Sequence, residues 1–244
     1  MKIHVTAAGG CRRELMHRIH GDEQLPHHFY AVRGILTHKV IENSLKDVEE
    51  YKIEYPGLIE DRSEEGGRND ADRILENVYT ESLPHVAKCL DAYKAWVGET
   101  SIDLDRLITE ETQSVPYMGH EIVGTPDAYG PDNLIDFKSG KTLQADYKKQ
   151  LAAYDWMLRQ NDKIDGQVKH QVILLGQDPT LPLAKRERLV SKNDIEKGLA
   201  EWLGDVNDYI READLIMKNP EYLPSCKFGV KCGFCSYRHL CNGI

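Results

Sequence analysis

Apolar residues along this chain follow two periods, and the change between them falls near Leu107. Ile35, Leu36, Val40, Ile41, Leu45 and Val48 recur at helical spacing through Arg33–Lys52, which predicts an amphipathic helix. Gly57–Asn69, with adjacent glycines and many charges, predicts a linker. Helical periodicity returns over Asp70–Val97. Pro84 predicts a break there, because proline lacks a donor and crowds the preceding turn. The first hundred residues are expected to be mostly helical.

Beyond Leu107 the period shortens. Thr112–Tyr117 and Glu121–Tyr129 read as strands around a turn at Tyr117–His120, and Gly130-Pro131-Asp132-Asn133 reads as a second turn before the short apolar strand Leu134–Lys138. A helix is expected from about Leu143 to Arg159, with Tyr147, Leu151, Tyr154, Trp156 and Leu158 among its apolar positions. Val168–Leu175 reads as a buried strand, Asn193–Met217 as a long helix, and a cysteine-rich tail follows Pro224. Strand, helix, strand in that order implies a right-handed parallel crossover. The fold class is therefore α/β, a small mixed sheet flanked by helices.

Composition narrows the setting. No apolar run approaches the roughly 18 residues of a membrane span, and Met1–Gly10 lacks the order of a signal peptide, so a soluble protein kept in the cytoplasm is expected. A formal charge of −9 argues against a protein that coats nucleic acid nonspecifically. Basic residues nevertheless cluster at Arg12–Arg18, Lys138–Lys149 and Lys227–Arg238, apart from acidic runs at Glu42–Glu65 and Glu99–Glu111. That separation suits a local path for a polyanion on an acidic body.

Asp136-Phe137-Lys138 ends the short apolar strand. Alternation along a strand puts Asp136 and Lys138 on one face, and Asp127, across the tight turn, can point at the same spot. Two carboxylates there suit Mg²⁺ or Mn²⁺, which take oxygen ligands. Such an ion lowers the pKa of a bound water, and a lysine ammonium stabilises charge developing on phosphate. A lone Asp-x-Lys is equally at home as a surface pair at a strand end.

Four short motifs in register raise its meaning. Gly124-Thr125-Pro126-Asp127, and Leu134-Ile135-Asp136-Phe137-Lys138-Ser139-Gly140-Lys141 after it, are joined upstream by Arg33-Gly34-Ile35-Leu36-Thr37-His38 and downstream by Gln150-Leu151-Ala152-Ala153-Tyr154. Together, over roughly residues 33 to 154, they resemble the RecB-like branch of the PD-(D/E)XK nuclease superfamily. The resemblance implies a restriction-endonuclease-like core and metal-dependent cleavage of DNA. It also implies metal ligation by His38, Asp127 and Asp136, catalysis by Lys138, and a helix face of Gln150 and Tyr154 turned to the metal and the DNA backbone. Lys141 is a further candidate phosphate contact. One domain over 1–244 is expected, with a mostly helical part at 1–105 that holds His38, the catalytic sheet and crossover helix at 106–180, and a C-terminal helix and cysteine segment at 181–244.

Six cysteines are present, and Cys226, Cys232, Cys235 and Cys241 crowd the tail. Three thiolates in a C-x₂-C-x₅-C pattern point to a metal or cluster, since a disulfide uses only two. Cys11, before Arg12-Arg13, resembles the lone N-terminal cysteine of the iron–sulfur members of this branch, among them CRISPR-associated exonucleases. By that resemblance Cys11, Cys232, Cys235 and Cys241 hold a [4Fe–4S] cluster. The competing set, Cys226, Cys232, Cys235 and Cys241, makes a self-contained zinc site. Cys89, among Ala87, Leu90 and Ala92, reads as a core residue.

The expected function is a DNA exonuclease acting on single-stranded ends, with partners in CRISPR adaptation or recombination. Alternatives are a non-catalytic zinc- or cluster-bearing adaptor for DNA ends or proteins, and a restriction-type endonuclease.

Overall fold

The computed structural model describes residues 1–22, 29–46, 70–224, 237, 240 and 241. The expected linker at 57–69, the end of the first predicted helix at 47–52, and Cys226, Cys232 and Cys235 lie outside the described residues. Helices run over α1 Arg12–His20, α2 Phe29–Lys46, α3 Asp70–Glu99, α4 Ala145–Gln160, α5 Leu183–Arg186 and α6 Lys192–Lys218. Strands are β1 Lys2–His4, β2 Ile108–Thr109, β3 Gln113–Tyr117, β4 His120–Gly124, β5 Ala128–Tyr129, β6 Asn133–Lys138, β7 Lys169–Leu174 and β8 Glu187–Val190.

They form a three-stranded sheet in the order β1-β4-β3 and a five-stranded sheet in the order β2-β5-β6-β7-β8. β6 and β7 are parallel and joined through α4, as expected, with Asp136 opposite Val172 and Lys138 opposite Leu174. Alternation along β6 and β7 splits the core in two. Leu134, Val172 and Leu174 pack with Leu151 and Met157 of α4 and Trp202 and Val206 of α6. Ile135, Phe137 and Ile173 face Leu36 and Val40 of α2 and Tyr93 and Trp96 of α3. Phe137 meets Tyr93 and Trp96 edge-on at 5.5 and 5.3 Å, contacts worth about 0.5–1.5 kcal/mol each beyond burial. The middle residue of Asp-Phe-Lys thus anchors the strand, and its neighbours are turned to the opposite face.

Two expectations need correction. Pro84 does not break its helix, for α3 continues through it. The missing backbone bond costs about 3 kcal/mol, and burial of Val86, Leu90, Tyr93 and Trp96 from the following turns offsets it. Glu121–Tyr129 is not one strand: β4 and β5 belong to different sheets. The chain changes sheet after Gly124, where an added Cβ would fall 2.7 Å from Val5 and 2.8 Å from the Tyr154 ring. Asp127 therefore lies in the crossing between sheets, just before β5, and not within a strand. The N-terminal segment also contributes β1, parallel to β4, an element for which the sequence carried no expectation.

The chain ends also converge. Trp202 donates to the Val5 carbonyl at 3.1 Å, and Arg12 of α1 reaches the Asp205 carbonyl of α6 at 3.3 Å. Arg13 donates to the Pro224 carbonyl at 3.3 Å. Tyr237 stacks on His17 at 5.4 Å, and Cys241 Sγ lies 3.9 Å from His17 Nε2.

Candidate active site

β6 delivers Asp136 and Lys138 to the face covered by α4. Asp136 is fully buried; its Oδ1 accepts from Lys138 Nζ at 2.7 Å, while Oδ2 has no hydrogen-bond partner among the described residues. A buried carboxylate oxygen left unsatisfied costs about 1–3 kcal/mol or more, so this atom is free to accept a proton or a cation. Burial first, and then the neighbouring Asp127 charge, push the Asp136 carboxyl up to about 6 against the pull of Lys138.

Asp127 is held from two sides. Its Oδ2 accepts from the Phe137 backbone N–H at 2.6 Å, and its Oδ1 lies 3.2 Å from His38 Nδ1. Burial works against the charged carboxylate, but His38, Lys138 and the Phe137 N–H together hold it below the usual range. On His38, burial acts downward, and the charge and hydrogen bond of Asp127 outweigh it, leaving the imidazole above its ordinary value.

Glu110 completes a group that the sequence reading missed. Ligand atoms of His38, Glu110 and Asp127 all lie within 4.8 Å of one another. Glu110 has φ 52°, a left-handed conformation that costs a non-glycine residue on the order of 1 kcal/mol or more. Its N–H donates to the Asp127 carbonyl at 3.2 Å. That turn sends Glu110 inward, whereas adjacent Glu111 is spent on Tyr129, Gln113 and Lys163. Burial, then Asp127, raise the Glu110 carboxyl to about 7. In the sequence Glu110 is one acid in the Glu99–Glu111 run, and only its position after β2 distinguishes it.

Gln150 and Tyr154 share the α4 face turned toward β6. Lys138 Nζ donates to Gln150 Oε1 at 3.0 Å, and Gln150 Nε2 donates to the Tyr154 hydroxyl at 3.0 Å. Lys138 Nζ also sits 5.1 Å above the Tyr147 ring, an attraction of about 0.5–2 kcal/mol. Although burial disfavours its charge, Asp136 and Asp127 keep the Lys138 ammonium above its ordinary pKa. His38, Asp127, Asp136, Lys138, Gln150 and Tyr154, scattered over α2, the sheet crossing, β6 and α4, thus form one connected cluster.

The donor set of His38, Glu110 and Asp127, an imidazole and two carboxylates, fits a hard divalent cation. Of the cysteines, Cys11 lies at the N-cap of α1, Cys241 faces His17 of the same helix, and Cys89 is buried, its thiol pushed up to about 11 chiefly by burial. Burial of that kind makes Cys89 a core thiol, as expected.

A family model described as PD-(D/E)XK nuclease superfamily matches residues 11–242. No curated protein matches the sequence. The fold is similar to a crystal structure of a candidate exonuclease from Eubacterium rectale, with TM-score 0.56 and 12% identity, covering 100% of this chain and 94% of that one.

Proposed function

The chain belongs to the PD-(D/E)XK nuclease superfamily, and from that premise we propose that it is a divalent-metal-dependent DNA exonuclease of the RecB-like branch, acting on single-stranded ends. The observation that carries this reading is the unsatisfied Asp136 Oδ2 beside the His38, Glu110 and Asp127 group, with the Lys138 ammonium 2.7 Å from the other Asp136 oxygen. The exonuclease direction draws on the motifs and on the Eubacterium rectale protein of similar fold.

In this reading His38, Glu110, Asp127 and Asp136 hold one or more Mg²⁺ or Mn²⁺ ions. Such an ion activates water and neutralises charge on the scissile phosphate. Lys138 presents its ammonium to the oxygens of the reacting phosphate, where negative charge develops. Asp136 and Gln150 fix where that ammonium sits, and Tyr154 in turn fixes Gln150. With Phe137 locked between Tyr93 and Trp96, the strand that carries the pair has little freedom to drift, which is what positioning catalysis needs.

The cysteines extend the proposal. Cys11, Cys232, Cys235 and Cys241 hold a [4Fe–4S] cluster that staples the chain ends, in keeping with the contacts of Tyr237 and Cys241 on α1. Zinc on Cys226, Cys232, Cys235 and Cys241 is the competing outcome. The same resemblance points to work beside proteins of CRISPR adaptation or recombination. No helix among the described residues is long and apolar enough to cross a membrane.

The test is degradation of end-labelled linear DNA against closed circular DNA, with Mg²⁺, with Mn²⁺ and with chelator. Metal-dependent loss of the linear form alone supports an exonuclease. Cleavage of the circle makes the protein an endonuclease, and binding without cleavage makes it an adaptor.

A further inference from the structure

The backbone of Lys138 is fixed, because its carbonyl accepts from the Leu175 N–H at 2.8 Å. Its side chain is a flexible four-carbon stem that ends in a compact charge with three N–H donors. Asp136 Oδ1 accepts from the ammonium at 2.7 Å and Gln150 Oε1 at 3.0 Å. The next contact is of another kind: the Tyr147 ring, with its centroid 5.1 Å from Nζ.

Tyr147 is itself held in place. It stands three residues before Gln150 on α4, so the two share a helix face. The Tyr147 N–H closes the first turn on the Gln144 carbonyl at 3.2 Å. α6 pins that turn from outside, for a Cβ added at Gly198 would stand 3.0 Å from the Lys148 carbonyl oxygen and 3.4 Å from Ala152. The Tyr147 hydroxyl lies 3.4 Å from where a Cβ of Gly140 would stand. The side chain thus reaches from the lysine to the loop that follows it. Burial raises the hydroxyl above its ordinary pKa against the pull of Lys138, so the ring meets the ammonium as a neutral phenol.

A carboxylate in this place would neutralise the lysine and take its third N–H. A ring attracts the cation through its quadrupole instead, which leaves the charge whole and that N–H free for an incoming oxygen. We infer that Tyr147 is a positioning residue for Lys138, its ring holding the ammonium where Asp136 and Gln150 aim it without spending the donor that the phosphate needs. The inference rests on the nuclease reading for the reaction. It adds a residue outside the four motifs, one that the sequence offers only as an apolar helix position.

The test has two arms. In single-turnover cleavage of end-labelled single-stranded DNA, Tyr147→Leu should lower kcat roughly tenfold, the scale of one desolvated cation–ring contact, with KM and metal affinity unchanged. Tyr147→Phe keeps the ring and should restore the rate. A Leu variant as fast as the wild type, or a Phe variant as slow as the Leu variant, overturns the inference. The second arm needs no cleavage. Proton–carbon NMR of the Lys138 ε-methylene, assigned by its loss in Lys138→Arg, should show an upfield ring-current shift in the wild type and in Tyr147→Phe, and an ordinary position in Tyr147→Leu. No such shift in the wild type overturns the inference even if the Leu variant fails to fold, and so does a shift that persists in a folded Leu variant. The expected spectra in a protein that cleaves no DNA with any metal keep the pairing of ring and lysine and overturn the nuclease reading.

Discussion

The backbone N–H of Phe137 donates to Asp127 Oδ2 at 2.6 Å, joining the two acidic motifs in a single buried hydrogen bond. The bond gives Asp127 two duties, since one oxygen fixes the strand beside it and the other faces His38. Asp127→Ala should abolish metal-dependent cleavage and also lower stability by about 1–3 kcal/mol, the usual cost of a buried donor left unpaired. Asp127→Asn keeps an acceptor for that N–H and loses the charge. It should abolish cleavage with a smaller fall in stability, read from denaturant midpoints. Equal stability losses in the two variants would dissolve the distinction.

Lys138 and Gln150 allow a graded test. Lys138→Ala removes the charge presented to phosphate and strands Asp136, so cleavage should fall by at least about 100-fold. Gln150→Ala leaves the ammonium in place but releases one of its two hydrogen-bonded anchors, and a loss of roughly tenfold in kcat is expected, with metal affinity unchanged. Tyr154→Phe removes the partner of Gln150 and should cost less still. Single-turnover rates with metal titrations check the order, and silence of both Gln150→Ala and Tyr154→Phe would make this face structural only.

The site should also make stability fall with rising pH when no metal is bound. Asp136 and Glu110 ordinarily titrate at 3.8 and 4.5, and the fold raises them to about 6 and about 7; His38 is raised as well. Between about pH 4 and 7 the folded state thus holds more protons than the unfolded chain, so these groups stabilise at low pH and that stability is lost as pH rises through their folded values. Glu110→Gln removes one such group. Its Tm with chelator should exceed the wild-type Tm at about pH 8 and match it more closely at about pH 5. Divalent metal competes with the same protons, so the Tm gained on adding Mn²⁺ should grow over that range in the wild type and be smaller throughout in the variant. A metal effect independent of pH would place the ion elsewhere.

Cys11 tests the staple. Protein purified without oxygen should carry about four irons per chain. Cys11→Ala should lose the iron and lower Tm, because the cluster closes a loop spanning nearly the whole chain, whereas Cys226→Ala should keep both. Elemental analysis beside calorimetry reads the result. Zinc in place of iron, with Cys226 essential and Cys11 dispensable, moves the site wholly into the tail.

The sequence by itself determined the long amphipathic helices, the apolar strands around the Asp-x-Lys pair and the candidate ligands His38, Asp127 and Asp136, because periodicity and short motifs are local properties of the chain. It also determined that Asp136 and Lys138 share a face, since strand alternation needs no knowledge of neighbours. Tertiary structure alone decided the rest. That Asp127 sits in a crossing between two sheets follows from the close approach of Val5 and Tyr154 to Gly124, contacts between residues far apart in sequence. Whether Pro84 ends a helix depended on the burial of Tyr93 and Trp96 against Phe137, which local propensity does not contain. Glu110 became distinguishable from Glu111 only once β2 paired with β5 and a left-handed turn sent one carboxylate inward and left the other to Tyr129 and Lys163. Side-chain charge is written in the sequence, but the field at a site is a sum over distances, and folding sets the distances.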